Sequence, residues 1–228
     1  MAVSLGWKLV RQLIAALCGY GVIFFLAAGT LRYWEGWVFL AILFVPGTYF
    51  CFYFLKRDPE LVRRRLETKE KVKAQKWIIR IAHSIFALAY LIPGLDLRFG
   101  WTKRWFGGVP RWLQIFSLVV VLASYLFVIW VMDVNRYASR TVQVEAEQKV
   151  ISTGPYRRVR HPFYFGAVVM FLAAPLGLGS YVAFPVFALV IPVFVFRLLN
   201  EEQVLRRELP GYVEYCQGTR YRLVPYIW

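Results

Sequence analysis

The chain has 228 residues, of which 59% are hydrophobic and 18% are charged, and its formal net charge is +15. A soluble globular domain is about 45–50% apolar, so this composition excludes an ordinary soluble protein. The three cysteines are far apart in the sequence, and the two histidines form no cluster with them at zinc-ligand spacing, so we expect neither a disulfide framework nor a metal site.

Five stretches without Asp, Glu, Lys or Arg predict a bundle of membrane-spanning helices. A helix needs about 20 mostly apolar residues to cross the bilayer core, and the first, second and fourth stretches have about that length. The first is longer than the core of a signal peptide and a second span follows it at once, so we expect it to be retained. In chain order the stretches are Leu13–Leu31, Gly36–Leu55, Ile81–Leu95, Trp112–Met132 and Pro162–Phe196.

Between the second and third stretches, residues 56–76 predict a basic helix on the cytoplasmic membrane surface. Asp58 suits the N-cap of this helix and Pro59 suits its first helical position. We expect the helix to anchor the topology by contacting anionic headgroups, and a substrate-binding role is the alternative.

The basic residues are distributed unevenly along the chain. If the N-terminus lies in the cytoplasm, most of the 28 Lys and Arg residues fall in cytoplasmic segments, which is the positive-inside asymmetry of membrane proteins. This asymmetry explains the net charge without a nucleic-acid partner. We therefore expect a multi-pass membrane protein with both termini in the cytoplasm. The basic residues left outside are Arg32, Arg98, Lys103, Arg104 and Arg111.

The fifth stretch predicts a helical hairpin. As one helix, its roughly 35 residues would extend about 52 Å, well beyond the bilayer core. Residues 175–180, with the sequence PLGLGS, would break such a helix, so the chain should turn there and return to the cytoplasm. Each arm would have about 15 residues, so a partly re-entrant hairpin is an alternative to a full span.

The predicted fold is therefore an all-α, polytopic integral membrane bundle. It has four spans and a C-terminal helical hairpin, which gives five to six membrane segments. A cytoplasmic helix and tail follow the hairpin. The scarcity of ionisable residues within the spans argues against an ion pump or a proton-coupled transporter.

The hairpin is preceded by a basic turn. Residues 153–166 read TGPYRRVRHPFYFG, in which Gly-Pro favours a turn and Pro162 suits the first turn of a helix. The free N–H groups at the start of that helix, together with Arg157, Arg158, Arg160 and His161, would bind an anion at the membrane interface. Snorkelling of the arginines to lipid headgroups is the alternative.

The other end of the hairpin carries Arg197, Glu201 and Glu202. Arg197 and Glu201 are four residues apart and share a helix face, so an exposed ion pair is one interpretation. The other is that the adjacent carboxylates bind a pair of hydroxyl groups, as acidic residues bind ribose in nucleotide sites. Because a hairpin returns to the side where it began, we expect this end to lie beside Arg160 and His161.

Further polar groups follow the fourth span and the hairpin. Tyr212 and Tyr215 would form either an aromatic belt at the interface or a lid that stacks on an adenine or contacts a sulfonium. Asn135 would either orient a substrate or cap the fourth span. Neither GxG match in the sequence follows a strand, so no Rossmann site is expected, and a P-loop is absent.

Taken together, these motifs resemble the isoprenylcysteine carboxyl methyltransferase / phospholipid methyltransferase superfamily of integral membrane enzymes. The resemblance covers roughly residues 135–228 and divides the chain into a membrane-span region, 1–133, and a methyltransferase-like catalytic region, 134–228, with the hairpin at 162–200. The motifs are GPY-x(3)-RHP-x-Y-x-G at Gly154–Gly166, R-x(3)-EE-x(2)-L at Arg197–Leu205, G-Y-x(2)-Y at Gly211–Tyr215 and R-x-x-P at Arg222–Pro225.

The resemblance implies methyl transfer from S-adenosylmethionine, with release of S-adenosylhomocysteine. The acceptor would be a membrane lipid or a lipidated substrate, either a phospholipid amine or an isoprenylcysteine-like carboxylate. The candidate catalytic residues are Arg197, Glu201 and Asn135. The candidate cofactor-binding residues are Tyr156, Arg160, His161, Pro162, Tyr164, Gly166, Glu201, Glu202, Tyr212 and Tyr215.

Two other functions stay open. The ending YRLVPYIW, residues 221–228, also resembles the tail of the sterol C14-reductase family, which shares the hairpin and uses NADPH. A non-enzymatic membrane scaffold is the third hypothesis. The paired glutamates and the His161-Pro162 dipeptide favour the methyltransferase. The sequence leaves the oligomeric state open.

Overall fold

The computed structural model describes residues 2–66, 73–135, 137, 144 and 148–228. Across these residues the structure is helical and contains no strand, which confirms the predicted all-α class. The elements are α1 (Ala2–Ala28), α2 (Trp34–Arg57), α3 (Pro59–Leu66), α4 (Lys73–Phe99), α5 (Trp101–Phe106), α6 (Arg111–Val134), a 3₁₀ turn (Gly154–Arg157), α7 (Pro162–Gly177), α8 (Phe184–Ala188), α9 (Val190–Glu208) and α10 (Tyr212–Gly218).

In the part of the chain that the structure describes, four helical segments are long and apolar enough to cross a membrane. Three of them coincide with the first, second and fourth predicted stretches, and the other is the second arm of the hairpin. The third predicted stretch lies within α4, which packs along α1. The four segments are Leu5–Ala28, Trp34–Arg57, Arg111–Val134 and Phe184–Glu208.

The two arms of the hairpin differ in length. α7 has 16 residues and extends about 24 Å, so it is shorter than the bilayer core. The return arm is longer than expected because α9 continues through Arg197 to Glu208, and with α8 it forms a run of 25 residues. We call the end of the bundle with the start of α7 and the end of α9 the site end, and the opposite end the far end.

The turn between the two arms is held at the far end by a buried carboxylate, Asp96, near the end of α4. Asp96 Oδ1 accepts a hydrogen bond from the backbone N–H of Thr102 at 2.7 Å, and Oδ2 accepts hydrogen bonds from the hydroxyl groups of Thr102 and Ser180. The hydroxyl group of Tyr33 donates to the carbonyl oxygen of Leu178 at 2.7 Å. These bonds satisfy buried polar groups and fix the position of the turn.

The contact between α6 and α7 depends on a glycine. A Cβ atom at Gly166 would lie 2.8 Å from Phe127 Cδ1 and 2.8 Å from Val128 Cγ2 on α6. Small residues allow membrane helices to approach closely, and α6 and α7 share the largest helix–helix contact among the described elements. Gly166, a candidate cofactor-binding residue, therefore lies in a helix-packing contact.

The predicted surface helix at 56–76 corresponds to α3 and the start of α4. Residues 67–72, between them, lie outside the described part of the chain. Asp58 caps α3 as predicted, because its carboxylate accepts a hydrogen bond from the backbone N–H of Leu61 at 3.0 Å. The buried side chains of Leu61 and Val62 join an apolar cluster with α1 and α2, so α3 packs one face against the bundle.

Substitution Gly166→Ala should destabilise the protein, because the new methyl group would overlap Phe127 and Val128. Overpacking a close contact costs about 1–3 kcal/mol. Gly19→Ala is the matched control, since a Cβ atom at Gly19 would meet no atom within 4 Å. Thermal unfolding of both variants in the same detergent measures the difference. Equal unfolding temperatures would show that α6 and α7 can move apart enough to accept the methyl group without a loss of stability.

Candidate functional site

A buried ion-pair cluster joins the two ends of the hairpin. Glu202 lies in the last two turns of α9, and its side chain is only 4% exposed. Arg160 Nε lies 2.9 Å from Glu202 Oε1, and Arg222 Nε donates to Oε2 at 3.0 Å. His161 Nε2 lies 3.3 Å from Oε1. We call these four residues the Glu202 cluster.

The Glu202 cluster is a fixed structural unit. Arg160 and His161 are buried, whereas the side chain of Arg222 is 32% exposed. The Nε–H of Arg160 points at no acceptor in the described chain, so its contact with Glu202 is an ion pair and not a hydrogen bond. A buried carboxylate is costly to desolvate unless it is both paired and hydrogen-bonded. Both oxygen atoms of Glu202 are therefore occupied by protein groups.

The tail that follows α10 is bonded to the basic turn before α7. The backbone N–H of Arg160 donates to the carbonyl oxygen of Tyr221, and that of His161 donates to the carbonyl oxygen of Arg222, both at 2.9 Å. Leu223 is buried in an apolar cluster with residues of α7 and α9. Main-chain and side-chain contacts together place Arg222 beside Glu202.

The neighbouring carboxylate, Glu201, points in another direction. It is partly buried, and its Oε2 accepts a hydrogen bond from the hydroxyl group of Tyr164 at 2.7 Å. Arg197, one turn earlier on α9, also interacts with the Tyr164 hydroxyl group. Adjacent residues of a helix point about 100° apart, so Glu202 is buried in its cluster while Glu201 meets α7 from another side.

Tyr156 connects α6, the basic turn and α10. Its hydroxyl group accepts a hydrogen bond from Asn135 Nδ2 at 3.0 Å, and its carbonyl oxygen accepts hydrogen bonds from the hydroxyl groups of Tyr215 at 2.7 Å and Thr219 at 3.5 Å. Asn135 Oδ1 accepts a hydrogen bond from the backbone N–H of Tyr137 at 3.1 Å. Both ends of the Asn135 amide are therefore engaged by groups outside α6, and the amide joins the end of α6 to the basic turn.

Tyr212 carries a buried hydroxyl group that has no hydrogen-bond partner among the described residues. Its side chain is 4% exposed and packs with Leu209 and Cys216. Burial raises the pKa of the Tyr212 phenol and the nearby carboxylate of Glu202 raises it further, so the group remains a protonated donor. A buried donor without an acceptor costs about 1–3 kcal/mol, so such an atom calls for a partner, which a bound water, ion or ligand can supply.

The structure brings most of the candidate residues together at the site end. Pro162 is buried in the first turn of α7, where its missing N–H costs no hydrogen bond. Gly166 lies farther along α7 and contacts α6. Arg222 and Thr219 also belong to this region, although the sequence analysis did not include them among the site residues. The R-x-x-P motif marked Arg222, whereas Thr219 had no sequence signal.

Residues 112–210 match the family model described as phospholipid methyltransferase. The matched region begins in α6 and ends at Pro210, so it contains Asn135, the basic turn, the hairpin and both glutamates. Tyr212 and Arg222 lie beyond it. The match confirms, over this part of the chain, the predicted resemblance to the isoprenylcysteine / phospholipid methyltransferase superfamily of integral membrane methyltransferases.

Part of the chain is also similar to a delta(14)-sterol reductase from Mus musculus. The two proteins are 30% identical over 91 residues, which is 39% of this chain and 22% of the reductase. The chain thus spans about a fifth of the length of that relative. This similarity is compatible with the reductase hypothesis and does not outweigh the methyltransferase match.

Substitution Glu202→Gln should strongly destabilise the protein, because it leaves Arg160 and Arg222 without their counter-charge. Breaking a buried ion pair by removing one partner costs about 3–5 kcal/mol. Glu208→Gln, an exposed position on the same helix, is the matched control and should leave the unfolding temperature almost unchanged. Thermal unfolding in detergent makes the comparison. If both variants unfold at the same temperature, the Glu202 cluster contributes no net stability.

Proposed function

We propose that this protein transfers a methyl group from S-adenosylmethionine to a lipophilic acceptor held in the membrane, at the cytoplasmic face. The observation that carries this proposal is the contact of Arg160 and His161 in the basic turn with Glu202, within the region that matches the phospholipid methyltransferase family. The acceptor is a phospholipid amine or an isoprenylcysteine-like carboxylate.

The residues of the site end suit S-adenosylmethionine in two respects. Adenine, ribose and the amino-acid carboxylate all offer hydrogen-bond acceptors, and Tyr212 Oη is a buried donor that lacks one. The ribose hydroxyl groups need a hydrogen-bond acceptor, and the positive charge of the sulfonium favours a nearby carboxylate. Glu201 is a partly buried carboxylate whose Oε2 is bonded to Tyr164. Both oxygen atoms of Glu202 are already bonded within the Glu202 cluster. Glu202 would therefore position the basic turn, while Glu201 contacts the cofactor.

When bound, S-adenosylmethionine supplies an electrophilic methyl group on a sulfonium, which the acceptor takes by in-line displacement. Displacement of this kind depends on positioning and exclusion of water more than on a strong acid or base. Tyr164 and Leu198 are buried between α7 and α9, and they would exclude water from the membrane side of the site.

The two classes of acceptor would use different members of the group formed by Arg197, Glu201 and Tyr164. An amine acceptor must lose a proton, and the Glu201 carboxylate would receive it. A carboxylate acceptor needs no base, and Arg197 would hold it by two parallel hydrogen bonds. In either case the hydrogen bond from Tyr164 orients Glu201.

Reduction by NADPH is the second candidate function. The similarity to a delta(14)-sterol reductase and the ending of the chain support it. The tail, which is bonded to the basic turn, would then contribute to a dinucleotide site. The family match of residues 112–210 favours methyl transfer over this alternative.

S-adenosylhomocysteine should raise the unfolding temperature of the purified protein, and NADPH should not. A ligand at 100 times its dissociation constant adds about 2.7 kcal/mol to the stability of the folded state. Stabilisation by NADPH alone would contradict the methyltransferase proposal and support the reductase. A response to neither ligand would favour a membrane scaffold. Incubation with labelled S-adenosylmethionine and total membrane lipid then identifies the acceptor class.

Substitution Tyr212→Phe should weaken S-adenosylhomocysteine binding and leave the ligand-free protein as stable as before, or slightly more stable. The change removes only Oη, which bonds no group in the described chain. Loss of one hydrogen bond to a ligand corresponds to about 0.5–1.5 kcal/mol, or roughly two- to tenfold in the dissociation constant.

The matched control is Tyr226→Phe, at a position that is 88% exposed, and it should bind the ligand normally. Isothermal titration and thermal unfolding of both variants separate binding from stability. A destabilised ligand-free Tyr212→Phe protein with normal affinity would assign the hydroxyl group a structural role instead.

A further inference from the structure

The far end of the bundle carries a basic surface that the proposed methyltransferase site does not use. It is built from the turn after α1 and from the segment that runs from the end of α4 to the start of α6. The basic side chains of these two segments are all exposed, and they are Arg32, Arg98, Lys103, Arg104 and Arg111. The acidic residues nearby are Glu35 and Asp96.

The two segments lie against each other, so their charges belong to one surface. A Cβ atom at Gly29 would lie 3.5 Å from Arg98 Cδ. The guanidinium carbon of Arg111 lies 4.8 Å from the centre of the Trp34 ring. We call residues 29–35 and 97–112 together the far-end surface.

The nearby acidic groups leave most of this charge uncompensated. Asp96 is buried and accepts hydrogen bonds from hydroxyl and N–H groups. Glu35 is partly buried and lies near Arg111. Among the ion pairs of the described residues, none includes Arg32, Arg98, Lys103 or Arg104.

Exposed aromatic side chains accompany these charges. Each of the residues Phe99, Trp105, Phe106 and Trp112 is more than half exposed. Aromatic rings of this kind are enriched at the level of lipid headgroups, and Lys and Arg near the ends of membrane helices extend to the same depth. The far-end surface therefore combines rings that suit the interface with cations that suit phosphate.

We propose that the far-end surface binds the headgroups of anionic phospholipids in the leaflet opposite the Glu202 cluster. Guanidinium groups match phosphate oxygens through paired hydrogen bonds. A basic residue near an anionic membrane surface contributes about 1 kcal/mol, which is about fivefold in affinity. Binding here would hold the corner that carries Asp96 and Thr102 and, through them, the turn of the hairpin. The proposal does not depend on the methyltransferase activity.

The test compares phosphatidylglycerol with phosphatidylcholine, each added to the detergent-purified protein while thermal unfolding is followed. Phosphatidylglycerol should stabilise the protein, and the effect should weaken as salt is raised because salt screens exposed charges. In the variant Lys103→Gln/Arg104→Gln, the concentration of phosphatidylglycerol that gives half of the stabilisation should rise about 25-fold.

The control variant is Arg206→Gln/Arg207→Gln, which removes two exposed arginines from the last turn of α9, at the other end of the bundle. It should change the half-stabilising concentration less than twofold. Equal effects of the two variants, or equal stabilisation by phosphatidylcholine, would overturn the proposal. Inorganic phosphate alone should not reproduce the effect, and if it did, the surface would be a free-anion site and not a lipid site.

Discussion

The arrangement of the site depends on the burial of one carboxylate. Glu202 comes from a helix that returns across the bundle, and it is neutralised by groups from two other segments, the turn before α7 and the tail after α10. A buried, unpaired carboxylate would cost several kcal/mol, so these segments cannot separate without a large penalty. Backbone hydrogen bonds between the same turn and the tail reinforce the connection. Glu201, Tyr164 and Tyr212 lie around this cluster, and under the proposed function they would supply the groups that contact a ligand.

A second buried carboxylate, Asp96, fixes the turn of the hairpin at the far end, and it is stabilised by hydrogen bonds. Asp96 is surrounded by the hydroxyl groups of Thr102 and Ser180 and by a backbone N–H, with no cation in the contact. The short arm α7 is therefore fixed at both ends, and its second turn is held against α6 by the close approach at Gly166. The hairpin behaves as a rigid support, which suits a reaction that depends on positioning.

Sequence patterns predicted the helical class, the membrane spans and the hairpin, because uncharged stretches and a Pro-Gly break have direct physical consequences. They also predicted that Arg160 and His161 lie near Arg197–Glu202, since a hairpin returns to its starting side. They could not decide which of two adjacent glutamates is buried, because that depends on the rotation of α9 against α7. Asn135 was assigned to a site for its place after the fourth span and Gly166 for its place in the motif of the resemblance, whereas their contacts with Tyr156 and Phe127 arise only from tertiary packing. The partners of Asp96 lie 6 and 84 residues away, a separation that no local pattern reports.

The Glu202 cluster also sets an order of events during synthesis. Arg160 and His161 leave the ribosome before Glu202, and Arg222 follows it by 20 residues. Until Arg222 emerges, Glu202 Oε2 lacks its hydrogen-bond donor, so we expect the end of α9 to stay hydrated at the membrane surface. Insertion of the hairpin and completion of the site are therefore separate steps, and docking of the tail is the later one. A nascent chain halted between them would hold every membrane helix in place and still lack a closed site, so tight ligand binding would report that the tail has docked.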